Sequence, residues 1–580
     1  MRRLLLGALL LASVLYLSLL LRTVPLPLPK VTVELRTPYM GQPLLNEYDR
    51  LFRANLQGDV KTLQGVVKTA PDSFLLYRTL LQLARSSLPA EERLGYLERV
   101  LAFGLISPLA RDDVKRAQLE LAQVAEEAGH KARAVDAYTE ALPLAAAVGG
   151  LARLETDPRA LARIFLDARD PERALAVLEG RRAPAIRAPS YAALGDYERA
   201  LTAYDRWLER SPGSQVAEEG KLWTLIALGR YAPAQRLLDK LPQNLSAEAA
   251  LAKAQNDPDA ALKAYLQMNS SDGLWGATEL LERQGKVTAT LPYYLELARI
   301  SDDYQDDAAY RAYTLARRLG NSAVMAEAKA LIPPFSFFGL LQGSKIALPL
   351  ESLPHAKPPA IPRSHALARA GDEEAALGEL LIALRAATDE ATTVALAETL
   401  QQLGEYGAST EAATLWINRG SRSRRTWLAA YPQAYRGIVR AQGARWGVKA
   451  TFIWAIMKQE SYFHARAVSV SDARGLMQLI PSTWDWLAEL LGQTPVDHPF
   501  DISQNIHYGT FYVSKLLGTF EGDLATSAAA YNGGPGYIER LLDKPYIDNQ
   551  ADFYRFISRS ETREYVQRVM LNYTVYTLLY

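Results

Sequence analysis

The 580-residue chain contains no cysteine. That absence removes disulfides, thiolate metal ligands, cysteine nucleophiles and a lipidated cysteine anchor together. An excess of either charge is also lacking: 65 Lys and Arg face 64 Asp and Glu, and residues 431–580 alone hold 14 of each sign. Nucleic-acid binders concentrate basic surface, so no nucleic-acid partner is expected. The six histidines (130, 355, 365, 464, 498 and 507) show no ligand-pair spacing. Neither a metal site nor a cofactor is therefore expected. No Gly-x-Ser-x-Gly elbow and no phosphate-cradling Gly-rich Lys loop occurs, which leaves serine-hydrolase and nucleotide-hydrolase chemistry without a starting point.

What is present begins at the N-terminus. Arg2 and Arg3 precede an uncharged run from Leu4 to Leu21, which as a helix spans roughly 27 Å against a hydrocarbon core of ~30 Å. No small-x-small cleavage site lies between Leu17 and Pro29, so residues 1–24 are expected to be an uncleaved signal anchor, with a cleaved signal peptide as the alternative. The basic flank places the tail inside and the rest of the chain outside, in the periplasm or cell envelope and held to the inner membrane by this helix. Pro25, Pro27 and Pro29 make residues 25–39 an extended spacer.

From about residue 40 the chain becomes Ala/Leu-rich with helical spacing, and one phrase returns. It reads Gly195-Asp196-Tyr197-Glu198-Arg199-Ala200-Leu201, then Gly229-Arg230-Tyr231 with Ala234, then Asn256-Asp257-Pro258-Asp259-Ala260-Ala261-Leu262, then Gly371-Asp372-Glu373-Glu374-Ala375-Ala376-Leu377. Gly or Asn ends one helix in a left-handed turn, the acidic residues start the next, and Ala lets the two approach closely. The interval from Gly195 to Gly229 is 34 residues, close to the tetratricopeptide period, although others are uneven. Residues 40–427 are expected to be an α-superhelix of tetratricopeptide-like hairpins. Seven prolines between Pro333 and Pro362 interrupt it with an irregular strap, after which hairpins resume at Ser364. The repeats read first as inter-helix packing. A groove for partners, such as cell-wall synthesis or division proteins, stays open beside that reading.

The chemistry lies after Tyr431. Phe452, Ile453, Ile456 and Met457 form an apolar stripe, and Glu460 follows three and four positions beyond the last two. That puts its carboxyl on the buried face, where desolvation raises a pKa as a general acid requires. The opposing reading is a structural Glu neutralised by an arginine such as Arg474. Trp484, Trp486 and Tyr537 can stack sugars, but aromatics at helical spacing more often belong to a core.

Glu460-Ser461, Gly475-Leu476-Met477-Gln478, Ala530-Tyr531-Asn532-Gly533-Gly534-Pro535-Gly536 and Ser560-Glu561-Thr562-Arg563-Glu564-Tyr565-Val566 occur in that order. With Tyr431-Pro432-Gln433-Ala434-Tyr435 and a helix bearing Asn505, Gly509 and Tyr512, this set resembles the catalytic domain of the soluble lytic murein transglycosylases, lysozyme-like enzymes that cut peptidoglycan. The resemblance implies an all-α chain: a superhelix followed by a lysozyme-like domain over residues 428–580. It implies that Glu460 is the single catalytic acid and base, protonating the glycosidic oxygen and then taking the proton of the muramyl 6-hydroxyl to leave a 1,6-anhydro end. Ser469, Gly475, Met477, Gln478, Tyr531 and Asn532 fall on substrate-groove positions. Ser461 and Glu561 fall on supporting ones, Glu561 matching a buried glutamate. Asp472 stands where the family usually has glycine, which adds a carboxylate near the cleft. The alternatives are a muramidase-type hydrolase and a non-catalytic peptidoglycan-binding scaffold.

Overall fold

The computed structural model describes residues 43–580 except residue 58 and residues 70–72, 103–109, 143, 301–303, 334–335, 344–347, 349–350, 470–471, 494–497, 545–552, 555–556 and 558. The expected anchor and spacer lie outside these residues. Among the described residues no helix is long and apolar enough to cross a membrane. The chain is all-α there, and its extended pairing is confined to isolated bridges such as Glu351 with Ser423.

The repeated phrase builds the hairpins as its chemistry dictates. Gly195, Gly229, Asn256, Gly371 and Gly404 all take the left-handed conformation, with φ between 61° and 83°. Asp196, Asp257 and Asp372 each accept the backbone N–H three residues on, caps worth about 1 kcal/mol apiece. Ala200, Ala234, Ala261 and Ala375 are fully buried, so neighbouring helices meet almost backbone to backbone. The unit also forms where the sequence hides it: Arg169 takes φ 60° and Asp170 caps Arg173.

The superhelix closes on itself. Leu45, Leu51, Phe74 and Leu83 from the first described hairpins share a core with Ala366, Leu367, Ala375 and Ile382. Buried Glu379 receives the Tyr48 hydroxyl from 331 residues away, the Phe74 N–H at 3.1 Å and Arg363 at 3.0 Å. Arg78 grips Asp372 through both terminal nitrogens. Gly378 is required by the contact, since a Cβ there would stand 2.0 Å from the Phe74 ring.

In the Pro-rich stretch, Phe337–Leu341 forms a short helix with Phe337 and Phe338 buried. Glu351 N–H then donates to Arg422 O at 2.9 Å, and Arg425 reaches Pro354 O at 3.2 Å, tying this stretch to the last hairpins. Helix resumes at Ala360, four residues before the expected Ser364. Pro362 lies in the first turn, where a missing N–H costs nothing.

Among the described residues these helices follow: α1 (Arg436–Trp446), α2 (Ala450–Ser461), α3 (Pro481–Leu490), α4 (Ile502–Thr519), α5 (Leu524–Gly533), α6 (Pro535–Leu542) and α7 (Ser560–Leu579). α2 packs on α7 and α1, and α4 packs on α1, α3 and α5. One continuous core runs from Tyr294, Ala309 and Phe337 of the ring through Trp427 into Trp454, Met457 and Val566.

Candidate active site

α2 buries Phe452 through Lys458 without a break, and Glu460 in its last turn is half-buried at the edge of that core. Tyr462 and Phe463 then take φ 48° and 65°, turning the chain sharply away from the carboxyl. Non-glycine residues at positive φ cost of order 1–3 kcal/mol each and gather at functional sites. Asp472 (61°) and Gln478 (47°) repeat the pattern in the next loop.

Burial raises the Glu460 pKa to about 8. A hydrogen bond from Tyr565 works against the rise, and the negative charge of Glu561 adds to it. The Tyr565 hydroxyl, on α7, donates to Glu460 Oε1 at 2.6 Å. Glu460 enters no ion pair among the described residues. Arg474 instead makes a fork with Asp472, both contacts 2.9 Å. Arg474 is thus engaged with Asp472, whose extra carboxylate is charge-matched.

The loop from Ala467 to Leu479 faces the end of α2 and is pinned from three sides. Ser461 Oγ donates to Leu476 O at 2.8 Å. Buried Asn505 on α4 accepts the Met477 N–H at 2.7 Å and donates to Arg474 O at 3.0 Å and Pro499 O at 2.9 Å. Tyr531 on α5 donates to Met477 O at 2.7 Å. Gly475 has φ 79°, and a Cβ there would stand 2.3 Å from the Asn505 amide nitrogen. In this fold the glycine makes room for Asn505.

Sequence reasoning placed the other residues with mixed accuracy. Ser469 lies at the loop's far end, where its Oγ accepts the Ala473 N–H at 3.0 Å. Both amide hydrogens of Gln478 go to main-chain oxygens, Ala467 O at 3.0 Å and Gly475 O at 2.8 Å. The Met477 side chain is fully buried against Gly509, so this residue faces the core and not solvent. Asn532 Oδ1 accepts from Thr562 at 2.7 Å, and its amide lies 3.4 Å from Glu561. Glu561 is exposed, contrary to the expected buried glutamate. It occupies the solvent-facing side of the first turn of α7, and Thr562 is the residue that turns inward.

Two contributors carried no assigned role. Tyr531 had been expected in the substrate groove, but its hydroxyl goes to Met477 O, and it is Tyr565, buried on α7, that bonds Glu460. Lys458 is buried, and its ammonium is clasped by Thr414 Oγ1 (3.1 Å), Ala430 O (2.8 Å) and the rings of Tyr431 (4.4 Å) and Tyr462 (4.8 Å). Desolvation lowers its pKa to about 7. Trp484 is core, Trp486 is exposed, and the Tyr537 ring carries Arg559 at 4.4 Å.

A cavity of about 420 Å³ lies elsewhere, in the ring between Glu282, Tyr294, Asp307, Arg311, Phe338 and Tyr554. None of the candidate residues lines it, and its buried charges pair with one another, Arg311 with Asp307 at 2.6 Å and with Glu282 at 3.7 Å.

Residues 437–553 match the Transglycosylase SLT domain family. A membrane-bound lytic murein transglycosylase C of Yersinia pestis is 38% identical over 119 residues, which is 19% of this chain and 33% of that protein. The chain spans between about a quarter and a third of the length of the curated relatives it matches. Among solved structures, an inactive mutant of the lytic transglycosylase Slt from Pseudomonas aeruginosa superposes with a TM-score of 0.56 at 19% identity, covering 92% of this chain and 96% of that one. The 70 kDa soluble lytic transglycosylase of Escherichia coli gives 0.54 at 18% identity, with the same coverage. The C-terminal region of this chain is an SLT transglycosylase domain, and ring and domain together have the fold of the soluble lytic transglycosylases.

Proposed function

We propose that the protein is a peptidoglycan lytic transglycosylase that cleaves the β-1,4 bond between N-acetylmuramic acid and N-acetylglucosamine. The geometry that carries the reading is that of Glu460: its carboxyl accepts the Tyr565 hydroxyl, enters no ion pair among the described residues, and has its pKa raised by burial to about 8. Such a group can protonate the leaving glycosidic oxygen. The carboxylate it becomes accepts the Tyr565 O–H and then takes the proton of the muramyl 6-hydroxyl as that oxygen closes on the anomeric carbon. A 1,6-anhydro end results, no water is consumed, and one residue serves both half-reactions. The Gln478 carbonyl and Asn532 hold the sugars, while Ser461, Gly475, Met477 and Tyr531 fix the loop on which Gln478 stands. Ser469 closes the turn that precedes it.

A hydrolytic outcome could rest on Asp472, the extra carboxylate of the loop, or on Glu561, whose charge is felt at Glu460. Retaining and inverting hydrolases require such a second carboxylate. Digestion of purified peptidoglycan followed by mass analysis separates the two. Anhydromuramyl fragments are expected from the wild type and are lost in Glu460→Gln. Reducing ends that disappear in Glu561→Gln would replace the transglycosylase reading with a muramidase. We also propose attachment to the envelope by the N-terminal helix, testable by extraction: release by salt alone would contradict it.

A further inference from the structure

α3 divides its two tryptophans between opposite environments. Trp484 packs into the core against Tyr508, ring centroids 4.6 Å apart, together with Leu487 and Ala488. Trp486, two residues on, remains 44% exposed. Exposed indole forfeits apolar burial, yet this one is held in place: it stands edge-on to Tyr512 at 5.9 Å and 89°. Tyr512 in turn lies 5.1 Å from Tyr531, and Tyr531 is close enough to Glu460 to feel its charge. A line of three rings thus leads from the acid to the surface and ends at an uncovered indole.

The surroundings specify what the indole would meet. Asp485 and Glu489 are exposed beside it, Glu489 three positions along and on the same side of the helix, and α3 carries no lysine or arginine. Lipid headgroups and other anions find no cation on α3 itself. A pyranose offers what the site lacks: an apolar C–H face for the ring, and hydroxyl or acetamido donors for a carboxylate.

We propose that Trp486 is the platform of an outlying glycan subsite. It stacks an N-acetylhexosamine ring two ring-to-ring steps from Tyr531, and Glu489 accepts from that sugar's O–H or N–H groups. The subsite rests on the glycan-cleaving reading for its purpose, but its occupancy is measurable without catalysis.

The test uses the full chain carrying Glu460→Gln, titrated calorimetrically with chitohexaose and chitotriose. Adding Trp486→Ala is expected to weaken hexamer binding about tenfold and to change trimer binding less than twofold, while Trp486→Phe restores most of the loss. In the active protein, Trp486→Ala raises KM on long strands and leaves kcat within about twofold. Equal hexamer affinity with and without the indole overturns the subsite, as does a fall in kcat at unchanged KM. If the indole governs hexamer binding but the wild type yields no anhydro fragments, the subsite stands and the catalytic reading falls. Anhydro fragments together with indifference to Trp486→Ala mean the reverse.

Discussion

The ring and the SLT domain are both helical, yet they are held together by different means. Away from its closure at Glu379, the ring repeats one solution: a left-handed turn, an Asp cap and a buried Ala, supplemented by ion pairs between neighbouring hairpins such as Arg85 with Glu120 and Arg93 with Glu127. The SLT domain relies on bonds that occur once, between side chains and main chain far apart in sequence: Ser461 to Leu476, Asn505 to three groups, Tyr531 to Met477, Trp454 to Ala434 and Tyr576 to Pro432. A repeated unit shares its burden with its neighbours. A buried bond made once leaves its partner stranded when lost, at about 1–3 kcal/mol. At the seam between them, Lys458 in the domain reaches Thr414 and Ala430 in the ring, two residues before the acid. Rigidity is therefore concentrated where the chemistry is, and the ring supplies a periodic support.

The largest effect expected is on turnover. Glu460→Gln removes the acid and should lower activity by ~10²–10⁴, measured as fragment release from peptidoglycan. Its effect on stability has the opposite sign and depends on pH. The folded pKa of about 8 lies above the ordinary carboxyl value of 4.5. Below the ordinary value the carboxyl is protonated in both states and nothing distinguishes the variant. Between the ordinary value and about 8 the unfolded chain ionises while the folded carboxyl keeps its proton, so the wild type loses stability that the variant keeps; above about 8 the loss is complete. The Tm of Glu460→Gln relative to wild type should climb between pH 5 and pH 9; a flat difference would contradict the raised pKa.

Next in size is Asn505→Ala, which strands the Met477 N–H and two carbonyls and should cost about 2–4 kcal/mol, read from denaturant unfolding. Because the loop bearing Gln478 is released, KM should rise with it. A loss below 1 kcal/mol would show that the loop is not pinned as the contrast between ring and domain requires. Tyr565→Phe keeps the packing of α7 and removes one hydrogen bond to the carboxylate form of Glu460. Activity should fall roughly tenfold, and the alkaline limb of the pH profile should move upward, because the Tyr565 bond lowers the Glu460 pKa.

The two regions also differed in how far the sequence could be read. Gly195-Asp196 and Gly371-Asp372 act within a few residues, so turn, cap and helix start are spelled out side by side. The same holds for the apolar stripe that presents Glu460. Closure of the ring had no such spelling: Glu379 resembles any helical glutamate until Tyr48 arrives from the far end of the chain. Tyr565, Lys458 and Asn505 are likewise defined by partners distant in sequence. Glu561 was misplaced for a related reason. A motif fixes its helix position but not whether the first turn of that helix points inward, and here Thr562 took the buried place.

The smallest predicted effect is the control that gives the others meaning. Arg85 reaches from one hairpin to Glu120 of the next with Nε at 3.0 Å and a terminal nitrogen at 2.6 Å, a fork as well formed as any in the molecule. Its side chain is nevertheless 58% exposed and that of Glu120 30% exposed. Water and salt screen the pair, and ordering two long side chains opposes it, so Arg85→Ala should cost only ~0–1 kcal/mol. The difference from wild type should shrink further at 0.5 M salt, with fragment release unchanged. Should this variant lose as much stability as Asn505→Ala, the ring too would depend on single contacts, and the division between a periodic support and a domain pinned bond by bond would collapse.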